Sequence, residues 1–303
     1  ALAYPSQNTN TALTQHPYAF LTNSALRSAM APYVASLGAY KMQVYPDNVK
    51  DFFRTGIISN TSLNLSGGSE KVGYNLSVGY NKEQGYIPDN GLTRLNIGSG
   101  IRAQLSKKFS INTSFNYANT DQFSPPLSAG QGNNTLGGFP SVLANVMFTP
   151  RQVDLMGWPY ESPVDGGTVY FRSGNDIPNP RWILANYKTT GVVNRFFTTT
   201  NLTYDIAKDL VLLYKVGLDT YSENQEYKFN KGGVDFVNGF YNTYDVNNTI
   251  WDNSLIVSYN KPVSDRFTLS ARLGGNMRND KTRYQYVVSQ NHLARNLFRH
   301  NNV

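Results

Sequence analysis

Residues 57–119 read IISNTSLNLSGGSEKVGYNLSVGYNKEQGYIPDNGLTRLNIGSGIRAQLSKKFSINTSFNYAN, and this stretch decides the fold. Leu63 and Leu65 alternate with Ser62, Asn64 and Ser66. Val72, Tyr74, Leu76, Val78 and Tyr80 alternate with Gly73, Asn75, Ser77 and Gly79. A period of two places apolar and polar side chains on opposite faces of a strand. Four such legs follow one another, each about ten residues long, which is long for a soluble sheet and matches a tilted bilayer crossing.

The same alternation predicts strands at 57–66, 72–82, 92–104, 109–119, 192–205, 210–221, 249–260 and 266–279. The connections Gly67–Lys71, Leu105–Lys108, Ile206–Asp209 and Lys261–Asp265 are tight and polar, as hairpin turns are. Those at Lys82–Gly91, Thr120–Gly191 and Ser222–Asn248 are longer. One end of the sheet therefore carries clipped turns and the other carries excursions, the asymmetry of transmembrane barrels. With the apolar face outward, Tyr80, Tyr117 and Trp251 fall near the loop end, and Phe109, Tyr204, Tyr259 and Phe267 near the turn end. Together they form two membrane aromatic girdles. A soluble β-sandwich also alternates, but has shorter strands and turns at both ends.

Bulk properties agree. The chain has 303 residues, 40% hydrophobic, 13% aromatic and 16% charged, with mean hydropathy −0.42. No apolar run reaches the ~20 residues of a membrane helix, and a barrel needs none, because only alternate residues face lipid. The longest, Phe139 to Phe148, is broken by Pro140, Ser141 and Asn145. There is no cysteine, so no disulfide holds the body together. The net charge of +7 is spread without a Lys/Arg run, which argues against nucleic acid as a partner. Helical spacing occurs at Pro17–Ala39, expected as a short helix or two in a loop insertion. Ala1 is preceded by no leader in the sequence, so either a leader has been removed or this is an interior piece of a longer protein.

The sequence contains no catalytic constellation. His16, His292 and His300 lie in expected loops without metal-ligand spacing, and Gly98-Ser99-Gly100 sits in a strand without the helix a phosphate loop requires. No cofactor or metal is expected. Two sets of residues stand out. Arg94, Arg102, Lys215, Arg272 and Arg278 fall on the polar, lumen-facing side, where they could meet acidic groups in the lumen, or simply be solvated and paired with acids such as Asp219. The 120–191 loop carries Trp158, Tyr160 and Trp182 with eight prolines between Pro125 and Pro180. A loop of that length is functional or disordered, and its aromatics are candidates for ligand contact or for the loop's own core.

The segment DFFRTGIISNTSLNLSGGSEKVGYNLSVGYNKEQGYI, 51–87, resembles the early-barrel signature of SusC/RagA-type TonB-dependent transporters, an FRTG-like step into a strand, a GGSE turn and a Tyr-rich strand. MFTPRQVDLMGWP at 147–159, NPRWILANY at 179–187 and NRFFTTTNLTYDIAKDLVLLYKVGLDTY at 194–221 resemble further family segments. The resemblance as a whole covers roughly Pro17 to Val288. One departure is Asn48-Val49, where the family carries Asp-Trp. The resemblance implies a bacterial outer-membrane importer, typical of Bacteroidetes, with a barrel of about 22 strands around an N-terminal plug. It also implies a SusD-like surface lipoprotein as lid, a TonB complex acting through the plug, and oligosaccharide or peptide cargo; Trp158, Tyr160 and Trp182 would then face the ligand or the lid, and the lumen-facing cations could favour acidic cargo or hold an acidic plug surface. The expected fold is thus all-β: about 8–10 strands of a transmembrane antiparallel β-barrel with long extracellular loops. The expected organisation is 1–56 as a loop and short-helical insertion, 57–119 as two barrel hairpins, 120–191 as a long extracellular loop, and 192–303 as further strands and loops. No residue resembles the plug, which is expected elsewhere in a longer protein. The function expected is uptake without chemistry. The alternatives are a passive or secretion-linked outer-membrane channel and a soluble carbohydrate-binding β-sandwich.

Overall fold

The computed structural model describes the backbone of residues 12–13 and 40–41, and residues 44–126, 141–151, 153–157, 159–163, 165–169, 178–234 and 236–303 in full. The helix expected over Pro17–Ala39 lies outside the described residues, as do His16 and Trp158.

Ala12–Leu13 (β1) and Tyr40–Lys41 (β2) form a two-residue antiparallel ladder. The body of the chain is one eight-stranded sheet of Ile57–Gly68 (β3), Val72–Gln84 (β4), Gly91–Gln104 (β5), Phe109–Ser124 (β6), Tyr187–Ala207 (β7), Leu210–Phe229 (β8), Phe240–Ser264 (β9) and Phe267–Gln290 (β10). Every neighbour in the sheet is a neighbour in sequence and every pairing is antiparallel, giving an up-and-down meander with β3 and β10 at its edges. All eight expected strands form. A sandwich needs a second sheet of comparable size, and among the described residues the other sheet is only the two-residue β1–β2 ladder. Nor is any described helix long and apolar enough to cross a membrane, a statement that leaves strands untouched.

The register follows from the alternation, because a one-residue slip would turn every apolar side chain to the other face. Val78, Ile97, Tyr117 and Phe196 are directly opposed across β4 to β7. Leu218 and Trp251 continue the same face across β8 and β9. The opposite face carries the row Gly73, Arg102, Asn112, Asn201, Lys215, Ser254 and Asn276. Two irregularities sit at the turn end. Val263 is left out between the pairs Phe267–Ser264 and Thr268–Pro262, so the proline, which has no N–H to give a ladder, falls beside a bulge. Ile206 is skipped in the same way before the β7–β8 turn.

At the loop end the strands run further than the alternation shows. β7 starts at Tyr187, β8 continues to Phe229, and the β9–β10 hairpin reaches Phe240 and Gln290. In Ser222–Lys228 both faces are polar or amphipathic, so no period-two contrast marks the strand even though its backbone remains paired. The 120–191 connection is also not one structureless loop. It contains Val142–Phe148 (α2) and Pro180–Asn186 (α3), while Asn48–Phe52 (α1) precedes β3. Ser141 caps α2 by accepting from the Ala144 N–H at 3.3 Å. Asn179 caps α3 by accepting from the Arg181 N–H at 2.9 Å, with Pro180 at the first helical position, where its missing N–H costs nothing. These helices pack into a cap at the loop end. Its buried core joins Phe52, Ile87, Val142, Val146, Leu155, Trp182, Ile183, Leu184, Tyr187, Phe229 and Phe240.

Candidate functional site

The sheet offers two faces and a capped end. The seven aromatics expected as girdles, Tyr80, Tyr117, Trp251, Phe109, Tyr204, Tyr259 and Phe267, all occupy positions on the apolar face. Phe109 and Tyr204 are direct partners, with ring centroids 6.5 Å apart. Phe196, which the sequence reading left out, stands opposite Tyr117. Three strands are thereby bounded by aromatics eight positions apart: Phe109 and Tyr117 on β6, Phe196 and Tyr204 on β7, Trp251 and Tyr259 on β9. Between these ends the face is apolar and exposed, with Leu63 at 57%, Leu255 at 49% and Leu273 at 79%. Isolated exposed leucines are ordinary, but a continuous exposed apolar face is not.

The five expected cations all fall on the polar face. Arg94 Nε donates to Thr120 Oγ1 at 3.2 Å, and Arg278 pairs with Asp280 at 3.3 Å. Arg102, Lys215 and Arg272 make no ion pair with a described residue, and the first and second stand in one cross-strand row. Asp219 is engaged by a cation the sequence reading omitted. Arg195 donates to both of its oxygens, at 2.9 and 2.6 Å, and lies over the Phe197 ring at 5.4 Å. Small residues keep this face low. A Cβ added at Gly73 or Gly79 would meet nothing within 4 Å, so the backbone of β4 is open to whatever fills the space above it.

The loop aromatics separate. Trp182 is fully buried, its indole Nε1 donating to Gly166 O at 2.9 Å and its ring edge-on to Tyr187 at 5.1 Å. Trp182 is therefore corrected from contact candidate to cap core, since adding any partner can only bury it further. Tyr160 is half-buried under the Arg181 guanidinium, 4.6 Å from its centroid. Tyr187, Phe229 and Phe240 are the loop-end residues of their strands on the polar face, so the cap folds over the mouth of that face. Exposed aromatics do exist there, in strand extensions the sequence reading missed. Tyr284 and Tyr286 are 72% and 59% exposed on the polar face of β10, and Tyr244 lies opposite Tyr286 at 6.3 Å between rings. Continuing the alternation past Asn279 would have found them. A cavity of about 610 Å³ opens near the β3–β6 loop end, lined among others by Ile58, Glu83, Tyr86, Leu92 and Phe123.

The cap is tied down by amides. Asn48, standing in the departure from the family pattern, is buried, donates to Val153 O at 2.5 Å and accepts from the Leu155 N–H at 3.1 Å. Arg295 of the C-terminal segment donates to Glu161 at 3.1 Å and to Asn186 at 2.7 Å, and Asn296 accepts from Asn230. His300 is held between Thr243 Oγ1 at 2.9 Å and Ser289 Oγ at 2.8 Å. His292 is buried, and burial, with Lys231 and His300 nearby, depresses its imidazole below the usual range. Among the described residues no cluster of His, Asp or Glu could hold a metal ion.

No protein-family model matches the sequence, and no curated protein does. Solved structures do match. One described as the RagAB peptide transporter superposes with TM-score 0.64 at 14% identity over 82% of this chain and 27% of its own. Two described as the RagAB peptide importer in its closed-closed and open-open states give 0.63 at 16% and 15% identity, over 81% and 80% of this chain. The chain thus spans about a quarter of the length of the structures it matches. What the likeness establishes is the fold: an open, antiparallel all-β sheet of the kind that forms a section of a barrel wall.

Proposed function

We propose that this chain is part of the wall and outer cap of a TonB-dependent outer-membrane importer of oligomeric nutrients, working with a SusD-like surface lipoprotein. The observation that carries this reading is the exposed apolar face bounded at both ends by aromatics. Nine residues from Trp251 to Tyr259 rise about 27 Å along the strand, or about 20 Å once tilted at about 45°. The eleven from Phe267 to Met277 give about 24 Å. These heights approach the ~25 Å apolar band of an outer-membrane barrel. Lipid accounts for such a face; water does not.

On this reading the polar face lines the lumen, and the capped end with its long connections is extracellular. Edges β3 and β10 pair with further strands, because open backbone is not tolerated in hydrocarbon. The likeness to peptide transporter structures makes peptide the first cargo to test, with glycan the second. The lid captures the oligomer, the cap and plug enclose it, and TonB-driven movement of the plug releases it inward. No bond is made or broken. Arg102, Lys215 and Arg272 are free to meet acidic groups of cargo or plug, and Tyr244, Tyr284 and Tyr286 offer ring faces at the mouth.

The test is purification of the complete protein from membranes in mild detergent. Co-purification of a surface lipoprotein, with a bound oligomer identified by mass spectrometry, is the expected result. Recovery of the protein alone, conducting ions steadily in a planar bilayer, would contradict it and describe a passive channel.

A further inference from the structure

The outward stripe of β10 runs Phe267, Leu269, Ala271, Leu273, Gly275 and Met277, and then becomes polar at Asn279, Lys281 and Arg283. Trp251 stands directly opposite Asn279, Thr249 opposite Lys281, and Asn247 opposite Arg283. The two cations are exposed, and neither makes a hydrogen bond or ion pair with a described residue. The carboxylate nearest in register on this face is Asp245, which is engaged by the Asn224 amide at 2.6 Å. Asp280 points to the other face, where Arg278 and Asn248 hold it.

Two unpaired cations thus stand about 7 Å apart along one strand, on the lipid-side stripe, at the level where its apolar run ends beside a tryptophan. Their stems can lie along the apolar surface while their heads reach the headgroup layer. A guanidinium grips a phosphate through two parallel N–H donors, and the ammonium beside it adds a point charge.

We infer that Lys281 and Arg283 form a site for the anionic phosphate of a lipid headgroup in the leaflet at the loop end. The inference rests on reading the apolar face as lipid-contacting. Side-chain direction is set by the alternation, so a further strand pairing with β10 would leave both heads facing the membrane.

The experiment uses the complete protein in nanodiscs of phosphatidylcholine containing a minor share of phosphatidylglycerol. Lipid retained on the protein is counted by native mass spectrometry, and a fluorophore at position 273 reports contact with lipid-borne quencher. The wild type is expected to enrich phosphatidylglycerol. K281Q or R283Q should each lower that enrichment about fivefold, and the double variant by up to about thirtyfold. Unchanged enrichment in the double variant, with the position-273 label still quenched, overturns the site and leaves the wall reading standing. Loss of the retained lipid to inorganic phosphate also overturns it, in favour of a simple anion site. A position-273 label that lipid quencher cannot reach in the wild type overturns both.

Discussion

Arg195 on β7 grips Asp219 on β8 through both carboxylate oxygens, two residues off direct opposition in the ladder. The pair faces the polar side with side-chain exposures of 51% and 29%, so solvent screens it and its contribution is about 1 kcal/mol or less. Asp219→Asn is expected to lower the unfolding midpoint in detergent only slightly. It should also add one uncompensated cation to Arg102, Lys215 and Arg272. A collapse of stability in that variant would show that the pair is sealed from water, against the open polar face described above.

Asn48 carries a larger share of local order, because both ends of its amide are used in a buried setting. Asn48→Ala removes a donor to Val153 O and an acceptor for the Leu155 N–H, leaving two buried backbone groups unpaired. The expected cost is about 1–3 kcal/mol per group, confined to the cap. Hydrogen exchange should quicken at 153–155 and in α1, while β3–β6 stay protected. Unchanged exchange at Leu155 would contradict the assignment.

Trp182→Ala tests whether the cap is a folded unit in its own right. Removing this enclosed side chain should cost about 3–5 kcal/mol. The loss should appear as protease sensitivity in 141–186, with the barrel's heat-modifiable gel mobility retained. Wild-type protease resistance would place Trp182 outside the packing described.

The division between wall and cap is also the division between what the sequence discloses and what it does not. Turn-end boundaries fell close to the observed ones, because one face carries apolar residues such as Leu269 and Leu273 while the alternate positions carry Ser270 and Arg272. That contrast is local and periodic. Beyond Ser222 and before Thr249 it vanishes, since both faces carry polar side chains, and the strand extensions bearing Tyr244, Tyr284 and Tyr286 vanished with it. The cap depends on contacts distant in sequence, such as Asn48 with Val153 and Tyr187 with Phe229, which no periodicity encodes. Asn179-Pro180 and Ser141 are local helix-start cues for α3 and α2 that the sequence reading did not use. The cations were legible as a face, but not in their partners. Arg195 went unnoticed because Phe196 and Phe197, adjacent and on opposite faces, blur the alternation.

His292 is expected to make the segment 291–303 sensitive to pH. Its folded-state affinity for a proton lies below the ordinary value of 6.5, so the unfolded state takes up the proton first. Above that value the ring is neutral in both states and contributes nothing. As pH falls through and below 6.5 the folded arrangement loses stability, until the folded ring also protonates. Exchange at 291–303 should therefore quicken between about pH 7 and about pH 5, and His292→Asn should flatten the change. A wild-type segment equally protected across that window would refute the account.

The central claim is that hydrocarbon wets the side bearing Leu76, Val216 and Leu269 while water wets the side bearing Asn75 and Ser270. The chain has no cysteine, so single cysteines at these five positions label it without ambiguity. Fluorescence of the complete protein in bilayers should be quenched by lipid-borne quencher at positions 76, 216 and 269, and by an aqueous quencher at 75 and 270. Labels at 76, 216 and 269 that lipid-borne quencher cannot reach would contradict the wall and everything built on it.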